Sequence, residues 1–141
     1  PIPGHSPDML GLYEKNKGWF FSADVWVREY IRFFMRPESM KTQIASLKRV
    51  RELDFEVLLC SHNPQFENAK EKIQQKIDFL EDFYGQVARL DQKGLSPQAI
   101  MKEMQIKEYW ELKILSGGFL SAINMVKSVI RDEKNQTYSL L

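Results

Sequence analysis

The sequence predicts a mixed α/β (α+β) fold, with short strands on the N-terminal side of the 141-residue chain followed mostly by helices. Three observations predict it. From Met9 to Phe21, short apolar runs alternate with turn-forming residues. A single β-prone run, Phe55 to Cys60, separates two helical patterns. Beyond it, apolar residues recur at three- and four-residue steps almost to the C-terminus. The chain therefore reads as one domain made of a strand-rich segment, residues 1–63, and a helical segment, residues 64–141.

Taken in order, Met9 to Glu14 is half apolar, Asn16-Lys17-Gly18 supplies turn chemistry, and Trp19-Phe20-Phe21 follows as a buried run, which together predict a hairpin. Val25, Trp26, Tyr30, Phe33 and Phe34 recur at helical steps and predict a short helix before Pro37, whose aromatic content implies burial or the wall of an apolar substrate pocket. From Glu38 onward, Met40, Ile44, Leu47, Val50 and Leu53 share one helical face, leaving Lys41, Lys48, Arg49 and Arg51 for solvent. Phe55 to Cys60 predicts a strand in the middle of a sheet.

Asn63 as N-cap and Pro64 as first helical residue open a helix whose stripe, Ile73, Ile77, Leu80, Tyr84 and Val87, runs until Gly94. If continuous, this helix is about 45 Å long. Ser96-Pro97 repeats the start signal for a shorter helix burying Ile100, Met101 and Met104. Gly117-Gly118 predicts a sharp turn before a last helix with Leu120, Ile123, Val126 and Ile130 at its spacing and a polar tail from Asp132.

With 43% hydrophobic residues the chain can bury a core of ordinary size. Its 20 basic and 19 acidic residues leave a net charge of +1, too little to steer it toward nucleic acid or an anionic membrane. The basic stretch Lys41 to Arg51 is flanked by Glu38, Glu52 and Asp54 and lacks interleaved aromatics, so no nucleic-acid partner is expected. No apolar run is long enough for a membrane span. A single Cys60, read as a small core residue, excludes an intrachain disulfide, and a cytoplasmic location is expected. The opening Pro-Ile-Pro-Gly resembles neither a translation start nor a signal peptide and suggests a cut piece. Asn135-Gln136-Thr137 matches a glycosylation sequon but reads as a solvated tail.

Chemistry concentrates at His5, Asp24 and His62, three metal-ligand residue types placed at the edges of predicted strands. Pro3-Gly4-His5-Ser6-Pro7 encloses an imidazole among turn-formers. Phe20-Phe21-Ser22-Ala23-Asp24 ends an apolar strand in a carboxylate, and Leu58-Leu59-Cys60-Ser61-His62 ends another in an imidazole. Strand ends in layered α/β folds present side chains to a common crevice.

These three segments, in this order and approximate spacing, resemble the metallo-β-lactamase-fold hydrolase superfamily: its Pro-Gly-His-Ser/Thr-Pro motif, a strand-terminal Asp and a later strand-terminal His. The resemblance spans about sixty residues and implies the C-terminal half of an αββα sandwich. It further implies that His5 completes the ligands of one zinc ion, that Asp24 is the catalytic carboxylate bridging two, and that His62 binds the second. Hydrolysis of an ester, thioester, lactone or phosphodiester-type small molecule is the expected reaction. Two departures stand out. The superfamily's His-X-His-X-Asp-His motif is absent, and Asp8 and Ser61 occupy positions where glycine is common.

Without that motif the chain is a partial domain, expected to be inactive alone and to bind zinc weakly or not at all. Loss of a sheet exposes an apolar face, so a homo-oligomer is expected. The alternative is a non-enzymatic, mainly helical protein-interaction domain whose amphipathic helices bind another protein.

Overall fold

The computed structural model describes the backbone of residues 1–139 and the side chains of residues 1–135, so the sequon at Asn135 lies partly outside the described side chains. The fold is mixed α+β and divides into two compact units, one of residues 1–31 and 42–81, the other of residues 32–41 and 82–141. Each unit thus draws on both the strand-rich and the helical segment.

The first unit is built on a three-stranded sheet. Strand β1, Leu12–Glu14, turns through Lys15–Lys17 into β2, Trp19–Phe21, and the two pair antiparallel, as the hairpin pattern predicts. β4, Val57–Leu59, joins the other side of β2 in parallel, with Phe21 opposite Leu59. β2 is therefore the central strand, and β4 is not in the middle of the sheet as its apolar run suggests. Its outer edge is instead met by Gln65, whose N–H and carbonyl both bond to Leu58.

Pleating sorts the sheet residues. Phe20 and Leu58 are buried on one face, and Phe20 stacks on Phe55 at 5.5 Å between ring centroids. Leu12, Trp19 and Phe21 point to the opposite face and are 67%, 37% and 41% exposed. Trp19-Phe20-Phe21 is thus an alternating strand rather than a buried run.

Two helices contribute to this unit, α1 (Met40–Arg51) and the first half of α2 (Ala69–Gln92). Leu47 and Val50 of α1 and Ile73, Ile77 and Leu80 of α2 are buried, following the predicted stripes. Lys48 pairs with Glu81 at 2.6 Å, and Arg51 bonds to Gln74. α2 starts five residues later than Asn63-Pro64 signals, because the intervening loop returns Gln65 to β4 before Asn68 accepts the first helical bond, from Lys72. Its 24 residues span about 36 Å rather than 45 Å.

Residues 25–35 form no α-helix. A single 3-10 turn, Ala23–Val25, leads into irregular chain and then β3, Phe34–Met35. Lys76 Nζ donates to the Val25 carbonyl at 2.7 Å, taking an acceptor that a helix would need for its own ladder.

The second unit pairs β3 with β5, Leu120–Ser121, and packs α5, Ile123–Ser139, against α3, Pro97–Glu103. Ser96 caps α3 as predicted, its Oγ accepting from Ala99, while Met104 is only half-buried. A six-residue helix, α4 (Trp110–Leu115), has no counterpart in the sequence reading. Gly117 and Gly118 both have positive φ, the turn geometry expected of the pair. The polar stretch from Asp132 continues α5 to Ser139 rather than forming a tail. Asp132 has a task there: with Ser128 it accepts from the amides of Lys41 and Met40, capping α1 from about ninety residues away.

Candidate metal centre

All three predicted ligands fall in the first unit, and the fold brings them together. Asp24 and His62 each stand three residues beyond the paired ends of parallel strands, Phe21 and Leu59. Parallel strands point the same way, so residues leaving them in step emerge at one edge. His62 Nε2 lies 3.4 Å from Asp24 Oδ1, and His5 Nε2 lies 4.0 Å from Asp24 Oδ2. The two imidazoles therefore address opposite oxygens of one carboxylate. Side-chain exposures of 25%, 37% and 57% for His5, Asp24 and His62 leave the cluster open to solvent and solutes.

Each loop is held by its own contacts. The His5 loop is fastened to α1: Ser46 Oγ donates to the Pro3 carbonyl at 2.7 Å, and Arg49 donates to the Pro1 carbonyl at 3.2 Å. Gly4, at φ +143°, lies so close to α1 that a Cβ there would meet Gln43 Cα at 2.5 Å. No larger residue fits without moving the loop that carries His5.

The Asp24 turn is fixed from three directions. Buried Ser22 extends the β2–β4 ladder, its N–H donating to the Leu59 carbonyl at 2.8 Å. Lys76, 1% exposed, holds the Val25 carbonyl, and Trp26, fully buried, donates its indole N–H to the Asn63 carbonyl at 3.3 Å. That last bond joins the residue two past Asp24 to the residue next to His62. Cys60, half-buried rather than in the core, accepts from the Asn63 N–H at 3.1 Å and rounds the same turn.

Zinc coordination geometry sets a scale for these separations. Two ligand atoms each about 2.1 Å from one ion at a tetrahedral angle lie about 3.4 Å apart. The His62–Asp24 pair, at 3.4 Å, matches that separation, and the His5–Asp24 pair, at 4.0 Å, is wider than it. Among the described residues, no three His, Cys, Asp or Glu side chains gather closely enough to enclose one ion. Each oxygen of Asp24 instead faces one imidazole nitrogen, His62 on one side and His5 on the other.

Beside this cluster an open groove of about 410 Å³ is lined by Phe21, Leu59, Pro64 and Phe66, with Ala23, Cys60 and Ser61 completing its wall. The aromatic stretch from Trp26 to Phe34 does not line it, because Trp26 and Phe34 are committed to the interior. Phe66, 67% exposed, supplies the aromatic surface instead. Lys76 also escaped the sequence reading, although a lysine between Ile73 and Ile77 on an apolar stripe is the signal of a buried amine with a dedicated acceptor.

No protein-family model matches the chain, and no curated protein is significantly similar to it. No helix among the described residues is long and apolar enough to cross a membrane.

Proposed function

We propose that the chain is part of a zinc-dependent hydrolase of the metallo-β-lactamase fold, with His5, Asp24 and His62 as metal ligands and Asp24 shared between two ions. The observation that carries this reading is the seating of two imidazoles, from loops far apart in sequence, on opposite oxygens of one carboxylate. When bound, a pair of zinc ions supplies Lewis acidity and activation of water. His5 and His62 would each present Nε2 to a metal, and Asp24 would present one oxygen toward each. The Gly4, Trp26 and Lys76 contacts hold that spacing in advance, so little ordering is left for metal binding to supply. The reaction class is hydrolysis of an ester, thioester, lactone or phosphodiester-type substrate.

The same reading takes the three-stranded sheet as one half of an αββα sandwich. Its support is the open sheet face, where Leu12, Trp19 and Phe21 sit exposed beside half-buried Val57 and Leu59. A contiguous apolar face of this kind seeks cover. In the complete enzyme a second sheet, carrying the His-X-His-X-Asp-His ligands, covers it. Alone, the chain is inactive and associates with a second copy through this face.

The test is a zinc titration of this chain followed by NMR of the histidine side chains. The expected result is that His5 and His62 both respond, weakly, and that Asp24→Asn removes both responses at once. A zinc response unchanged by Asp24→Asn contradicts the shared carboxylate.

A second reading, a non-enzymatic interaction domain, is favoured by α4, where Trp110, Ile114 and Leu115 are 64%, 74% and 87% exposed. It predicts that serine at Ile114 and Leu115 abolishes association in light scattering, leaving any zinc response unaltered.

A further inference from the structure

We infer that Ala23 is a positioning residue for Asp24: its left-handed backbone, clamped by the buried Ser22 hydroxyl, turns the carboxylate toward the two imidazoles. The inference rests on the metal-centre reading for the task it gives Asp24, while the geometry belongs to the metal-free chain. Ala23 has φ +44°, a region where Cβ crowds the following carbonyl oxygen. Only this residue separates the last ladder residue, Ser22, from Asp24, so its backbone sets the direction in which Asp24 departs.

Two other non-glycine residues among those described share the sign, Asn68 and Gln105, both at φ +54°, and each has a local reason. Gln105 follows α3 in a Schellman turn, its N–H donating to the Lys102 carbonyl and that of Ile106 to Met101. Asn68 precedes α2 and is of a type whose short polar side chain tolerates this region. Ala23 follows no helix and has no polar side chain, so its conformation is imposed by the surrounding fold.

The contacts that impose it lie on both sides. Ser22, fully buried, is still right-handed at φ −90° and ψ −4°, and its hydroxyl donates to the Ala23 carbonyl at 3.1 Å. That carbonyl belongs to the peptide joining Ala23 to Asp24, so the bond fixes the plane from which Asp24 leaves. Past Asp24, Val25 is fully buried and Lys76 holds its carbonyl at 2.7 Å. With both flanking residues inside, the chain reverses hand at Ala23 and leaves Asp24 part-exposed between His62 and His5. Local strain kept beside a carboxylate that two other loops approach is strain that serves position.

The experiment compares Ala23→Gly, Ser22→Ala and the double variant in the intact, metal-free chain, by urea denaturation and by NMR of the Asp24 amide and the His5 and His62 side chains. Ala23→Gly is expected to raise the folded-to-unfolded ratio about twofold or more, against the usual effect of this change, with the three residues unshifted. Ser22→Ala is expected to shift all three, and adding Ala23→Gly to return them, because glycine holds the left-handed turn without the clamp. A merely structural serine would not be rescued by glycine next door. Destabilisation by Ala23→Gly overturns the inference, as do unshifted residues in Ser22→Ala or shifts that glycine leaves in place. A zinc titration of the wild-type chain decides the metal-centre reading separately: no response at His5 and His62 overturns that reading, while the metal-free shifts still decide this one.

Discussion

Asp24 Oδ1 lies 3.4 Å from His62 Nε2, and these two residues leave neighbouring parallel strands in step, three positions past the paired ends Phe21 and Leu59. The strand register thus sets the coarse placement of the carboxylate and the imidazole. The fine placement belongs to the side chains that join their turns.

Trp26 is the direct link, and its indole bond to the Asn63 carbonyl can be removed with little loss of volume. Trp26→Phe is expected to cost about 0.5–1.5 kcal/mol of stability for the hydrogen bond, plus a packing loss. Lys76→Met is expected to cost about 1–3 kcal/mol, because it leaves the Val25 carbonyl buried without its ammonium donor. Urea denaturation measures both, and NMR of the same variants is expected to show shifts at Asp24 and His62. A loss of stability with both residues unshifted would mean that the two side chains support the core alone.

Gly4 is the sharpest local test of how His5 is held. A Cβ at this position meets Gln43 Cα at 2.5 Å, and the backbone sits at φ +143°. Gly4→Ala is therefore expected to displace the loop and destabilise the chain by about 2 kcal/mol or more. The change in His5 environment is readable by NMR, and a variant with wild-type stability and an unshifted His5 would contradict the assigned packing.

How far the sequence discloses this site follows from where its information is local. The Pro-Gly-His loop, the strand-terminal Asp24 and the strand-terminal His62 are each legible because turn residues and apolar runs flank them. The hairpin, α1 and the Ser96-capped α3 are legible for the same reason. What escaped is tertiary. The aromatic run after Val25 has helical spacing, but Lys76 and Asn63, far along the chain, supply its hydrogen bonds. Asn63-Pro64 carries a genuine helix-start signal that loses to the pairing of Gln65 with Leu58. The true cap of α1 comes from Ser128 and Asp132, which no local pattern announces.

Glu108 gives the fold a defined acid sensitivity. Burial pushes its pKa up, but hydrogen bonds from Ser121, the Ala122 amide and Lys113, with the lysine charge, hold it below its ordinary value of 4.5. A depressed carboxylate contributes stability that is complete above pH 4.5 and is lost as pH falls through the lower folded value. Glu108→Gln is expected to lower stability at neutral pH by about 1–3 kcal/mol and to flatten the acid limb below pH 4.5. Denaturation midpoints measured from pH 3 to pH 7, about the range that brackets this titration, check both effects. An acid limb identical in the two proteins would show that other carboxylates govern it.

Zinc-edge anomalous diffraction from zinc-soaked crystals of this chain tests the central claim most directly. The account predicts two peaks flanking Asp24, one between Oδ1 and His62 and the other between Oδ2 and His5. Zinc held by His5 or His62 without contact to the Asp24 carboxylate would contradict it.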